Sequence, residues 1–186
     1  MKTLFILFTA VICLSLVSSS DDDLLEWSSD YQLQWSDFEG KPPAGVKYKA
    51  MTHSRIGLDA DFKDGSFIID VNTYFIRNKS WSKNKGSEAL LGHEQVHFNI
   101  AELIARKIRK AYSEHTATEV QKTGDFIQET YNEFYGPVWD SYDDYDIETN
   151  HGIIEEEQAK WAKKIQQELD ELKDYSSPRV IIDLVE

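Results

Sequence analysis

Residues 90–98 read "LLGHEQVHF" and set His93, Glu94 and His97 in the order H-E-x-x-H. Positions four apart on a helix lie one above the other on a single face, so two imidazoles at this spacing can converge on one ion. Glu94 borders the same face and can reach a water on that ion without becoming a ligand. The pattern is that of a zinc hydrolase: two ligands and a general base on one helix. Zinc brings the pKa of its water close to neutrality and polarises a carbonyl. Glu94 would take the water's proton and pass it to the leaving group. The competing reading is a pair of polar histidines on an amphipathic surface. Leu90, Val96, Ile100 and Leu103 weigh against it, because they leave an apolar face beside the pair.

A catalytic zinc takes a third protein ligand and keeps one position open. His53, in "MTHSR", can approach a cleft from a strand. His115 falls in a polar turn and reads as solvated. Glu102 lies about 140° around the helix from His97, pointing away from the ion toward a packing role or a hydrogen bond to a ligand histidine's far nitrogen. The stretch "YDIETNHG" (145–152) holds the two stronger candidates, His151 and Asp146. Gly152 gives the backbone beside His151 freedom, and His151 is the preferred ligand, with Asp146 the carboxylate alternative. The ordinary alternative is a helix cap made by Thr149 or Asn150, with His151 merely exposed. Tyr145 can donate a hydrogen bond to an oxyanion near the zinc, or it can serve as packing.

These residues need elements to hold them. "VKYKAMTHSRIGLDADF" (46–62) alternates as a strand does, and "SFIIDVNTYFI" (66–76) is rich in β-branched and aromatic residues. The Asp-Gly pair at 64–65 between them predicts an antiparallel hairpin. The second of these strands is also a candidate cleft edge for pairing with an extended peptide. Ser87 can cap a long helix running from Glu88 to about Tyr112, whose Leu90, Leu91, Val96, Ile100, Leu103, Ile104 and Ile108 recur at helical intervals. A second helix is expected over Ala117–Phe134, ended by "YGPVW". "DSYDDYDIETNHG" reads as an acidic, aromatic loop, and a third helix runs from about Ile153 to Leu172. "SSPRVIIDLVE" can add a last short strand. Phe98 and Trp161 read as core. No repeat or second domain boundary is visible.

Residues 1–20, "MKTLFILFTAVICLSLVSSS", carry a lysine, a short apolar run and then small residues, the layout of a secretory signal peptide. The run is short for a membrane span. Cys13 is the only cysteine. Ile12 stands where a lipidated cysteine wants a small residue, so a lipid anchor is the lesser expectation. Removal of the segment leaves one domain, 21–186, with no thiol, so any metal would rest on His, Asp or Glu. It also leaves 19 basic residues against 33 acidic ones, a net charge of about −14. That balance argues against nucleic acid or an anionic membrane surface as partner. The expected location is secreted or periplasmic.

"LLGHEQVHFNIAELIARKIRK" with the later "YDIETNHGIIEEEQAKWAKKI" resembles a family of secreted bacterial proteins, long catalogued as a domain of unknown function and regarded as zinc-dependent proteases of the HExxH clan. The likeness extends upstream to "WSDFEGKPP", "AMTHSRI" and "KSW", and so covers most of the chain after residue 20. It implies an α+β, zincin-like fold: a small antiparallel sheet, a long HExxH helix and two further helices. It implies Zn2+ on His93 and His97, Glu94 as base, and a third ligand from the 145–152 stretch, His151 ahead of Asp146. The expectation is a zinc metallohydrolase acting on a peptide or protein substrate. Two other expectations stand beside it: a metal-binding or interaction module with little turnover, and a hydrolase of cell-wall amides.

Overall fold

A computed structural model describes residues 23–185; the signal segment expected at 1–20, with Cys13 inside it, lies outside the described residues. The chain is α+β. Its strands are β1 (Leu24–Glu26), β2 (Ala50–Met51), β3 (Ser54–Lys63), β4 (Ser66–Ile76), β5 (Trp81–Ser82) and β6 (Arg179–Asp183); its helices are α1 (Glu88–Ser113), α2 (Val120–Tyr135), α3 (Val138–Thr149) and α4 (Glu155–Glu171).

The expected hairpin is present. Asp64 (φ 53°) and Gly65 (φ 86°) both take left-handed conformations, as a two-residue primed turn requires. β3 and β4 then pair antiparallel from Lys63↔Ser66 to Ser54↔Phe75. The strand of the first expected segment begins later than its alternation suggests, at Ser54; Ala50 and Met51 pair instead with β5. β4 buries Phe67, Ile69, Val71, Thr73 and Phe75 on one face. It is not a free edge. β1 pairs with its Tyr74–Ile76 end and β6 with its Ser66–Asp70 end, on the side away from β3. Between them Trp27 N–H donates to Thr73 O and Val71 N–H to Pro178 O. The expectation that a peptide pairs with β4 is therefore overturned: its backbone groups are taken.

α1 crosses the buried face of this sheet. Ser87 caps it as expected, its Oγ accepting from Leu90 N–H at 3.2 Å. Val96, Ile100, Leu103, Ile104 and Ile108 are buried in the main core, while Phe98 packs with Phe38 and Phe75 in a smaller one. The back of α1 is fixed by a buried ionic cluster. Glu102 Oε1 accepts from Arg106 Nε and Arg109 Nη1, each at 2.9 Å, and Oε2 from Thr73 Oγ1 at 2.9 Å. The arginines go on to the carbonyls of Leu169 and Val71. This cluster ties α1 to β4 and α4, and Glu102 serves packing rather than either histidine.

The three expected helices are present as α1, α2 and α4, and α4 closely matches its expected span. The acidic segment read as a loop is a fourth helix, α3. Val138, Tyr142, Tyr145 and Thr149 recur at helical spacing and form its buried face. Pro137, which ends α2, also stands at the start of α3, where its missing N–H costs nothing. No helix among the described residues is long and apolar enough to cross a membrane.

Candidate functional site

α1 and α3 bring three ligand-bearing side chains to one point. His93 and His97 project from α1 and are buried, at 3% and 8% exposure. Asp146 comes from the half-buried shoulder of α3. Its Oδ1 lies 3.0 Å from His93 Nε2 and 3.1 Å from His97 Nε2, and the two Nε2 atoms are 3.3 Å apart. Donors on one face of a tetrahedral zinc site stand roughly 3.3 Å apart, given metal–ligand bonds of about 2.0–2.1 Å. The three atoms therefore already have the spacing of a tetrahedron's face.

His151 stands outside this group. α3 continues to Thr149, which turns Asp146 toward α1. Asn150 (φ 48°) then ends the helix, and His151 (φ 54°) and Gly152 (φ 78°) prolong the left-handed turn. That turn carries the His151 ring to the surface, 47% exposed, with Nδ1 3.4 Å from Asp146 Oδ2. Tyr48 meets the ring edge-on. The carboxylate alternative thus occupies the position expected of His151, and His151 flanks it. Asn150 ends α3 rather than capping α4, whose N-cap is Ile154. Neither remaining histidine joins: His115 stacks on Phe126 at 3.9 Å, and His53 is held at its backbone, where N–H donates to Ser80 Oγ.

Glu94 is 3% exposed, and its Oε2 has no hydrogen-bond partner. Such an oxygen is costly unless something arrives to satisfy it. Burial raises its carboxyl above the ordinary value, opposed by the charges of His97 and His93. Asp146 is held far below the usual carboxylate range: burial would raise it, but the hydrogen bonds and charges of His93 and His97 outweigh that.

His93 is raised above its ordinary value of 6.5; burial pulls it down, and Asp146, Glu94 and Gln158 together overcome this. The sign of two pH effects follows. Protons compete with a metal for Nε2, so metal affinity falls as pH drops through the raised value, by up to about tenfold per pH unit for each proton displaced. Without metal, the protonated form of His93 contributes stability that is present below the unfolded value and lost as pH rises through the folded one. Thermal denaturation in EDTA should therefore show stability falling as pH rises above about 6.5, and with added zinc it should rise over the same interval.

Tyr145 sits differently from the oxyanion donor expected of it. It is fully buried and stacks on the His93 ring, 4.6 Å between centroids at 19°. Its hydroxyl donates to Gln158 Oε1 at 2.6 Å and lies 3.3 Å from His93 O. The phenol is committed inward, against the His93 ring, and Trp161 packs against it at 5.4 Å between centroids. On the far wall, Tyr142 touches His97 edge-on and exchanges a hydrogen bond with Ser54, while Thr52 donates to Glu94 O.

Two supports of His93 were missed in the sequence. Gln158, on α4, has Oε1 3.1 Å from His93 Nδ1. Its signal was helical phase: Gln158 opens the stripe continued by Trp161, Ile165 and Leu169, and a polar residue in an inward stripe needs a partner. Gly152 is the other. A Cβ there would stand 2.9 Å from His93 Cγ and 3.0 Å from its Cβ, at a φ that side chains rarely adopt. Gly152→Ala should therefore push His93 out of line and weaken zinc affinity roughly tenfold or more, the loss seen when a ligand's support is disturbed. Competition against a chromogenic chelator measures it.

The model of a bacterial family described as a protein of unknown function, DUF922, matches residues 77–152. That span carries α1 with its two histidines and Glu94, and α3 with Asp146, His151 and Gly152; Gln158 falls beyond it. Neither the curated proteins nor the solved structures yield a match.

Proposed function

We propose that the chain is a zinc metallohydrolase, most simply a secreted or periplasmic peptidase, in which His93, His97 and Asp146 hold the ion and Glu94 is the general base. The observation that carries this reading is the pairing of two features: three donor atoms 3.0–3.3 Å apart, and beside them a buried carboxylate oxygen without a partner. Two imidazoles and one carboxylate suit zinc, and three protein ligands leave a position open for chemistry. The resemblance of the HExxH segment and the 145–152 stretch to zincin-like proteases supports the same reading.

When bound, zinc supplies Lewis acidity and lowers the pKa of a water ligand to near neutral. The protein supplies the rest. Glu94, raised in pKa yet flanked by two imidazoles, accepts a proton from the attacking water and delivers it to the leaving amine. Asp146 balances charge at the ion. Tyr142, Tyr145 and the core behind them exclude water from the inner side, which strengthens every charge interaction there. Tyr145, its hydroxyl committed to Gln158, does not face the open position as an oxyanion donor.

The test is hydrolysis by the zinc-loaded chain of a denatured-protein digest and, separately, of cell-wall material. Cleavage of the first supports the peptidase; cleavage of the second alone moves the assignment to cell-wall amides. Tight zinc with no hydrolysis of either would leave a metal-binding module.

A further inference from the structure

His93 is the most tightly enclosed ligand of the proposed centre. Tyr145 stacks on its ring, Gly152 lies against its Cβ and Cγ, and Gln158 Oε1 faces Nδ1 at 3.1 Å. An amide oxygen has no proton to give, and this one already accepts from the Tyr145 hydroxyl at 2.6 Å. The proton in the contact with His93 must therefore sit on Nδ1. A neutral imidazole protonated at Nδ1 carries its lone pair on Nε2. Nε2 is the atom 3.0 Å from Asp146 Oδ1. Two acceptors at that distance repel unless a proton or a cation lies between them.

We propose that Gln158 is a positioning residue that fixes the Nδ1–H tautomer of His93 and so aims the Nε2 lone pair at the cation site. The inference rests on the metal centre proposed above and names the α4 residue that the centre needs. The choice of an amide follows from charge. Glu94 and Asp146 already place two negative charges at the site, which match one divalent cation. A neutral acceptor orients the ring without adding a third. A filler role would be met by any side chain that packs between Tyr145 and His93; an orienting role needs an acceptor oxygen.

The experiment uses the full chain with Co2+ as the probe, read by its visible spectrum, and Zn2+ by competition. Gln158→Leu should weaken Co2+ binding by about 10–100-fold, the loss associated with removing a ligand histidine's supporting partner. Gln158→Glu restores an acceptor and should bind at least as tightly as the wild type. In the metal-free proteins, where Nε2 shares its proton with Asp146, 15N chemical shifts of the His93 ring should show Nδ1 protonated in the wild type and bare Nδ1 in a neutral Nε2–H ring in Gln158→Leu. A filler role would lower thermal stability in Gln158→Leu without moving either readout. Co2+ affinity and tautomer unchanged in Gln158→Leu would overturn the proposal while leaving the centre intact. If Gln158→Leu does not fold, Gln158→Glu decides: binding weaker than wild type sinks the idea. A wild type that binds neither Co2+ nor Zn2+ removes the centre itself, and this inference with it.

Discussion

Glu94→Gln is expected to keep its zinc and to lose about 10²–10⁴-fold in hydrolysis, the range contributed by a positioned general base. The side chain is buried and touches neither solvent nor ligand role: the three donors that converge are His93, His97 and Asp146. An amide of the same shape fills the same space, so folding and metal content should hold. The amide cannot accept the water's proton, and being neutral it avoids the cost of burying a charge. The buried, unpartnered Oε2 costs the resting protein free energy; Glu94→Gln should therefore be somewhat more stable than the wild type while being inactive. That pairing of gain and loss separates a functional residue from a structural one. Steady-state cleavage of the best peptide found, alongside zinc content and urea denaturation, reads all three quantities.

Glu102→Ala carries the largest expected effect on the fold. The carboxylate is 2% exposed and sits between two arginines that are themselves 5% and 2% exposed. Its removal leaves two buried guanidinium groups without their counter-charge, a loss of about 3–5 kcal/mol for breaking a buried pair. A domain of this kind has roughly 5–15 kcal/mol in total, so much of the population should unfold at moderate urea. Thr73 Oγ1 also loses its acceptor. Because the cluster anchors α1 to β4 and α4, the site should loosen before the chain unfolds. Replacing Glu102, Arg106 and Arg109 together with Met, Leu and Met removes charge and counter-charge at once, and should cost much less than Glu102→Ala alone. Urea midpoints at constant m-value provide the comparison.

Much of this arrangement is visible in the residues. The hairpin declares itself through Asp64-Gly65, α1 through its apolar period and Ser87, and β6 through "RVIID". Each is a local signal: a turn that only certain residues adopt, a cap, a period. α3 was hidden because acids dominate its exposed face, with Trp139 and Ile147 exposed among them. Asp140, Asp143, Asp144 and Glu148 made the segment read as solvated loop, and the stripe of Val138, Tyr142, Tyr145 and Thr149 is only weakly apolar. The consequence reached the site. Taken as a loop, 138–150 gives His151 freedom to swing inward, and residue type favours the histidine. Taken as a helix, it fixes Asp146 on the shoulder facing α1 and sends His151 past the C-terminal turn. Tyr145 follows the same logic: a helix places its hydroxyl against α4, where Gln158 receives it, and not over the open side. Contacts of α1 with α3 and α4, such as His97–Asp146 and His93–Gln158, join positions 49 and 65 residues apart, and no local pattern announces them.

The most direct test is zinc stoichiometry and affinity in the wild type, Asp146→Ala and His151→Ala, measured side by side. Stoichiometric zinc in the wild type and in His151→Ala, with binding lost in Asp146→Ala, is the predicted result. Wild-type protein without zinc, or zinc lost with His151→Ala and kept with Asp146→Ala, would contradict it.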